Sequence, residues 1–274
     1  MRELFFKLFA KSHFNTGITI TPLSVPHIVY ILLIGGIITG LYFALRKKDV
    51  YAKKKAMRVV VNVLVLSYLS DFFIHEFVYA SYDDLGNLIS AGGLDLDKLP
   101  FHLCTALCPV VAFTQYNKKG RKILEPVCVL AILAPLMYIA YPASIGNGEP
   151  WCYQAVQTMF FHGTLLAWGM LNVLLGITEL KIKHSWKCAV ALVGITLWAK
   201  LGNILYEHNW FFLQEDALYI GLVENYGMPS WLLMIINPVV FFLAVLLVYG
   251  VYYLVNRIRN KRNTVISDKE LASV

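Results

Sequence analysis

The chain has 274 residues, 58% of them hydrophobic and only 15% charged. A soluble domain carries roughly 25% charged residues, so the deficit puts this chain in a bilayer. It excludes a nucleotide-binding α/β domain, a nuclease and a secreted disulfide scaffold. The net charge of +7 is divided into short basic clusters between apolar stretches, a pattern that orients membrane proteins and argues against nucleic acid as a partner.

In chain order, residues 1–25 read as an interfacial segment. Leu4, Phe5, Leu8 and Phe9 line one side of a short amphipathic helix over 1–14. Arg2, Lys7 and Lys11 interrupt any apolar core, so a signal peptide is not expected. Seven apolar stretches follow, at 26–45, 59–80, 100–116, 123–141, 153–178, 188–207 and 231–255. A helix crosses about 30 Å of hydrocarbon with roughly 20 residues, so the expected fold is all-α, a polytopic bundle of seven transmembrane helices over 26–255. Residues 256–274 read as a basic, then disordered, tail. Five cysteines, with only Cys152 in an outer loop, offer no disulfide framework.

Loop charge sets the direction. Segments 46–58, 117–122, 181–187 and 256–262 hold 7, 4, 3 and 4 Lys or Arg, and the alternate segments 1–25, 81–99, 142–152 and 208–230 hold 3, 1, 0 and 0. Eighteen against four in strict alternation predicts the N-terminus outside and the C-terminus in the cytoplasm of a multi-pass cell-membrane protein. The outer loops collect Asp83, Asp84, Asp95, Asp97, Glu149, Glu215, Asp216 and Glu224.

Ionisable groups inside a span cost about 2.5–3.5 kcal/mol each on insertion scales, so each asks for a reason. The second span carries Asp71, His75 and Glu76 in its outer half, with Asp71 and His75 four apart on one face. The third begins at Pro100 with His102 and Cys104 in its first turns, the fifth places His162 about 15 Å in, and the sixth ends with Lys200, Asn203 and Glu207. All lie in the outer half, which predicts one site. Each also has a plainer reading: Asp71 and His75 as a packed pair, Lys200 as a snorkelling side chain, and Cys108, Cys128 and Cys188 as small hydrophobes.

In the segment Lys98-Leu-Pro-Phe-His-Leu-Cys-Thr-Ala-Leu-Cys-Pro109, Pro100 suits a first helical turn and Pro109 deprives the Thr105 carbonyl of its helical donor, which predicts a kink. His102 and Cys104 are roughly 200° apart around a helix, so a base for Cys104 has to come from another span. His162 is the candidate at comparable depth. A thiol needs such a partner because the thiolate is the reactive form.

Leu99-Pro-Phe-His-Leu-Cys104, Phe161-His162-Gly163, Gly202-Asn203 and Asn209-Trp-Phe-Phe-Leu213, in this order, resemble the YwaF-like bacterial integral membrane proteins, related to eukaryotic transmembrane protein 164. The likeness covers roughly 25–255; where the family usually has Asn-Tyr, this chain has Asn209-Trp210. The resemblance implies a cysteine acyltransferase moving fatty acyl chains between phospholipids and lysophospholipids, with Cys104 and His162 as the reacting pair. His102, His75 or Asn203 would orient the base or hold the oxyanion. No cofactor or metal is expected. The alternative is an ion-coupled carrier using Asp71, His75, Glu76, His162 and Lys200, and a zinc site drawn from His75, His102, Cys104 and His162 is a third reading.

Overall fold

The computed structural model describes residues 20–78, 81–82, 88–90, 92–140, 150–213, 227 and 229–271; side chains are described within 20–75, 92–140, 150–213, 227, 229 and 231–258. The amphipathic helix read over 1–14 lies outside these residues, as do Asp83, Asp84, Glu149, Glu215, Asp216 and Glu224, and the side chain of Glu76 is outside those described.

Seven long helices make up the described chain: α1 Val25–Leu45, α2 Val50–Val78, α3 Leu103–Tyr116, α4 Leu124–Ala140, α5 Tyr153–Leu174, α6 Ser185–Tyr206 and α7 Leu233–Leu271. A two-strand antiparallel ladder, β1 Ser81–Tyr82 with β2 Leu88–Ser90, follows α2. The helices alternate in direction, so α1, α3, α5 and α7 begin at one end of the bundle, called the upper end below, where α2, α4 and α6 finish. Hydrogen bonds tie the ends together. At the top, His27 of α1 accepts from the Leu23 N–H at 2.9 Å and donates Nε2–H to the Ile139 carbonyl at 2.6 Å. At the bottom, the Tyr116 hydroxyl of α3 donates to Asn62 of α2 at 2.5 Å.

Among the described residues, six helical stretches are long and apolar enough to cross a bilayer: Val25–Leu45, Val50–His75, Leu96–Tyr116, Gly120–Ala140, Ile182–Tyr206 and Leu233–Ile258. The helix α5 is absent from that set because its sequence is more polar, carrying Gln154, Gln157, Thr158, His162 and Asn172. Its position explains the composition. It packs against α1, α2 and α4, and Leu165, Trp168 and Leu171 on it are fully buried, so protein rather than lipid surrounds most of its surface. Small residues allow the approach: a Cβ on Gly169 would stand 3.0 Å from the Cys128 carbonyl of α4, and one on Gly163 would stand 2.8 Å from Ile34 of α1. Close backbone contact of this kind is how membrane helices associate without a hydrophobic drive.

The charged connections differ from their expected outlines. The basic stretch from Val50 onward is already helical, so α2 begins nine residues before the apolar run at 59. The helix α3 runs through Pro109 to Tyr116, and α7 runs on to Leu271 through the stretch read as a tail. The α3–α4 turn is tight. A Cβ on Gly120 would lie 2.6 Å from the Phe113 carbonyl oxygen, a backbone atom that cannot move alone.

Gly120→Ala is therefore expected to lower stability by about 1–3 kcal/mol in a thermal unfolding measurement in detergent. Gly35→Ala, in the middle of α1 with nothing within 4 Å of the added carbon, is expected to leave stability unchanged or raise it by about 0.5–1 kcal/mol.

Candidate functional site

The approach to α3 is irregular, a 3-10 turn at Leu96–Lys98 followed by Leu99-Pro-Phe-His102. Non-helical backbone at membrane depth requires internal partners for its polar groups. They are supplied from three helices and one loop. Tyr68 of α2 donates to the Lys98 carbonyl at 2.7 Å, Thr105 of α3 to that of Leu99 at 2.9 Å, and Trp198 of α6 to that of Pro100 at 2.7 Å. The Trp210 indole donates to the Leu96 carbonyl at 3.2 Å.

The segment after α6 is locked against this turn. Asn203 accepts from the Trp210 N–H at 2.7 Å and donates to its carbonyl at 3.1 Å. The Phe101 ring lies with its centroid 5.0 Å from Trp198 and 4.6 Å from Trp210, and a Cβ on Gly202 would strike it at 2.5 Å. His102 accepts from the Phe211 N–H through Nδ1 at 3.2 Å, which leaves Nε2–H to donate to Asp97 Oδ1 at 3.3 Å. His208 reaches the same oxygen at 2.8 Å. Asn237 of α7 donates to the Phe211 carbonyl at 2.8 Å. These contacts hold Glu207, Phe211 and Phe212 at positive φ (52°, 58° and 52°), a backbone region unfavourable for such residues without surrounding restraint.

Beside this latch lies a second polar group, centred on α5. Lys98 Nζ stands 3.0 Å from Asp71 Oδ2 of α2, with Asp71 only 1% exposed. The same ammonium is 3.5 Å from Thr158 Oγ1, and the Thr158 carbonyl accepts from His162 Nδ1 at 2.7 Å. Because Nδ1 carries the proton in that bond, Nε2 of the neutral ring is an available base. The buried imidazole stacks on Tyr138 at 3.8 Å and 7°, with Phe161 edge-on at 5.2 Å. On the adjacent level, Tyr153 and Ser70 share a hydrogen bond of 2.6 Å, and Gln157 donates to the Ser67 carbonyl at 2.8 Å.

Cys104 is half-buried and occupies the second helical position of α3, after the N-cap His102. The N–H groups of Leu103, Cys104 and Thr105 have no acceptor within the helix, and the helix dipole makes this end electropositive. Among the described residues Cys104 makes no side-chain hydrogen bond, and none joins it to His162. Both occupy the upper half of helices that are in contact.

The remaining expected site residues separate by role. Asp71 pairs with Lys98, while His75 of α2 donates to the Phe72 carbonyl at 3.0 Å. His102 and Asn203 belong to the latch. Lys200 is half-buried and makes no ion pair among the described residues. No group of three or more His, Cys, Asp and Glu converges with metal-ligand geometry among the described residues. Sequence reasoning missed Lys98 as the partner of Asp71, along with Thr158, Tyr138, Asp97 and His208. The signal for Lys98 was available: it is the one basic residue of an otherwise acidic outer segment, 81–99.

The TMEM164 family model matches residues 22–252, so the match extends over all seven helices up to Tyr252 in α7. The chain belongs to the TMEM164 family and is a multi-pass membrane protein. No curated protein and no solved structure matches it.

Removing one member of a buried ion pair strands the other. Lys98→Met is expected to destabilise the protein by about 3–5 kcal/mol, and adding Asp71→Asn to it is expected to recover much of that loss, both read from thermal unfolding in detergent.

Proposed function

We propose that this protein is a membrane-embedded acyltransferase that moves a fatty acyl chain between phospholipids through a Cys104 thioester. The observation that carries the reading is the state of His162: a buried imidazole whose Nδ1–H is held by the Thr158 carbonyl, leaving Nε2 free as a base at the level of the α3 entrance. The family's Leu-Pro-x-His-Leu-Cys string, present at residues 99–104, supports Cys104 as the nucleophile.

In the first half-reaction His162 Nε2 takes the proton from Cys104 Sγ, and the sulfur attacks the carbonyl carbon of a phospholipid ester. The carbon–oxygen bond breaks, the imidazolium returns its proton to the departing oxygen, and a lysophospholipid leaves. In the second, the hydroxyl of another lysophospholipid, or water, gives its proton to Nε2 and attacks the thioester, and the thiol is restored. The oxyanion falls to the first-turn N–H groups of α3. His102 and the Asn203 amide already have partners in the latch, which assigns them to holding the α3 entrance in place.

The topology that accompanies this reading has seven spans, α5 included, with the N-terminus outside and the C-terminus in the cytoplasm of the cell membrane. Its support is the alternation of basic connections, all of them at the lower end. Cysteines introduced as Asp95→Cys and Lys118→Cys report it directly. An impermeant maleimide is expected to label the first in intact cells and the second only after permeabilisation; the opposite pattern inverts the topology.

With a labelled lysophospholipid as acceptor and a phospholipid as donor, the purified protein is expected to form labelled diacyl lipid. Cys104→Ala is expected to fall to background, and His162→Gln to slow the exchange by about 10²–10⁴-fold. Exchange unaffected by either change, in variants that unfold at the wild-type temperature, overturns the proposal.

A further inference from the structure

At the lower end, opposite Cys104, a polar basin of about 460 Å³ opens between the start of α2, the α3–α4 turn and the α5–α6 connection. Lys54, Arg121, Lys122, Lys181 and Lys187 line it. The carboxylate deepest in this wall, Glu125, is already occupied: it accepts from the Lys181 N–H at 2.6 Å, from His184 Nδ1 at 2.5 Å and from the Tyr249 hydroxyl at 3.3 Å. Lys181 faces Glu179 at 4.0 Å. Among the described residues, Lys54, Arg121, Lys122 and Lys187 have no carboxylate partner, so the basin holds several uncompensated positive charges.

An apolar groove of about 550 Å³ runs up the bundle from this basin, between α3, α4 and α6. Leu107 and Val110, Val127 and Leu130, and Val190 form its walls, and Trp198 stands at its top. Lys187 lines both spaces, so the groove and the basin share a rim. From Trp186 to Trp198 the groove follows α6 for twelve residues, about 18 Å at helical rise. That is slightly more than one leaflet of a hydrocarbon core of about 30 Å. Trp186, 59% exposed beside the rim, is placed as an interfacial anchor.

We infer that these two spaces form one binding site for an anionic phospholipid of the leaflet at the lower end, its phosphate among Arg121, Lys122, Lys187 and Lys54 and one acyl chain in the groove. A basic pocket between helices, continuous with an apolar channel one leaflet long, matches such a lipid in both charge and shape. The phosphate end of this site is distant from the proposed acyl transfer. The lipid's ester bonds lie beside Lys187, at the opposite end of α3 from Cys104, and only the far end of the groove reaches Leu103, the residue before Cys104. The lipid is held rather than consumed, and it braces α3 and α6 from the side that α5 does not reach.

The test uses the full-length protein in detergent, with dioleoyl phosphatidylglycerol, dioleoyl phosphatidylcholine and inorganic phosphate as probes. Binding is followed by native mass spectrometry and by the rise in unfolding temperature. Phosphatidylglycerol is expected to bind about 10-fold or more tightly than phosphatidylcholine, and the Arg121→Gln, Lys122→Gln, Lys187→Gln triple variant is expected to remove that preference. Ala191→Phe, which fills the groove without touching the charges, is expected to weaken phosphatidylglycerol binding, and Cys104→Ala to leave it unchanged. Equal binding of the two lipids, or a preference retained in the triple variant, overturns the assignment. Protection by inorganic phosphate equal to that by phosphatidylglycerol, with Ala191→Phe silent, makes the basin a soluble-anion site and overturns it as well. Should the triple variant fail to fold, Ala191→Phe and the comparison of the three probes still decide the matter.

Discussion

A carboxylate carried into the interior of a membrane protein needs a counter-charge if it is to stay ionised, and much of the upper half of this bundle follows from how Asp71 meets that requirement. Its partner comes from outside its own helix. Lys98 precedes α3 and reaches across to α2, so the segment between the ladder and α3 is drawn down onto the bundle. The same ammonium approaches Thr158, whose carbonyl fixes the tautomer of His162. One ion pair thereby connects α2, the α3 entrance and the imidazole of α5. A buried pair of this kind contributes little net stability, but the desolvation penalty for losing one partner makes the arrangement specific.

The α3 entrance is held from its other side by the latch of Asn203, Trp210, His102 and Asn237. Three left-handed residues in that loop are conformations that persist only where neighbours over-determine them, and here indole, amide and imidazole groups all do so. Cys104 follows two residues after His102. It therefore stands at the first turn of a short helix whose approach is restrained on both sides, a position that suits the nucleophile proposed above, and protein surrounds most of α5 behind it.

Much of this was legible in the sequence. Apolar length located α1, α4 and α6 to within a few residues and found the start of α7, whose helix continues to Leu271 well past the apolar run. The helix α5 was legible by length alone; its polar residues face protein, and they lower its apolarity below that of its neighbours. Counting helical rise put both Cys104 and His162 in the upper half of their spans, which needs no tertiary information. The pairing of Asp71 was read along its own helix, toward His75, because i and i+4 neighbours are visible in sequence and a contact with Lys98 is not. The roles of His102 and Asn203 were hidden for the same reason. Their partners, Phe211 and Trp210, are backbone groups brought close only by the fold.

The central claim is that Cys104 carries the acyl chain, and the most direct measurement is the intact mass of the purified protein after incubation with phospholipids, before and after hydroxylamine. The account predicts an added mass of one fatty acyl chain that hydroxylamine removes, that is absent in Cys104→Ala, and that forms slowly in His162→Ala. A wild-type protein that unfolds normally and acquires no such adduct from any phospholipid would contradict the covalent mechanism, leaving the polar groups of the upper end as a binding or transport site.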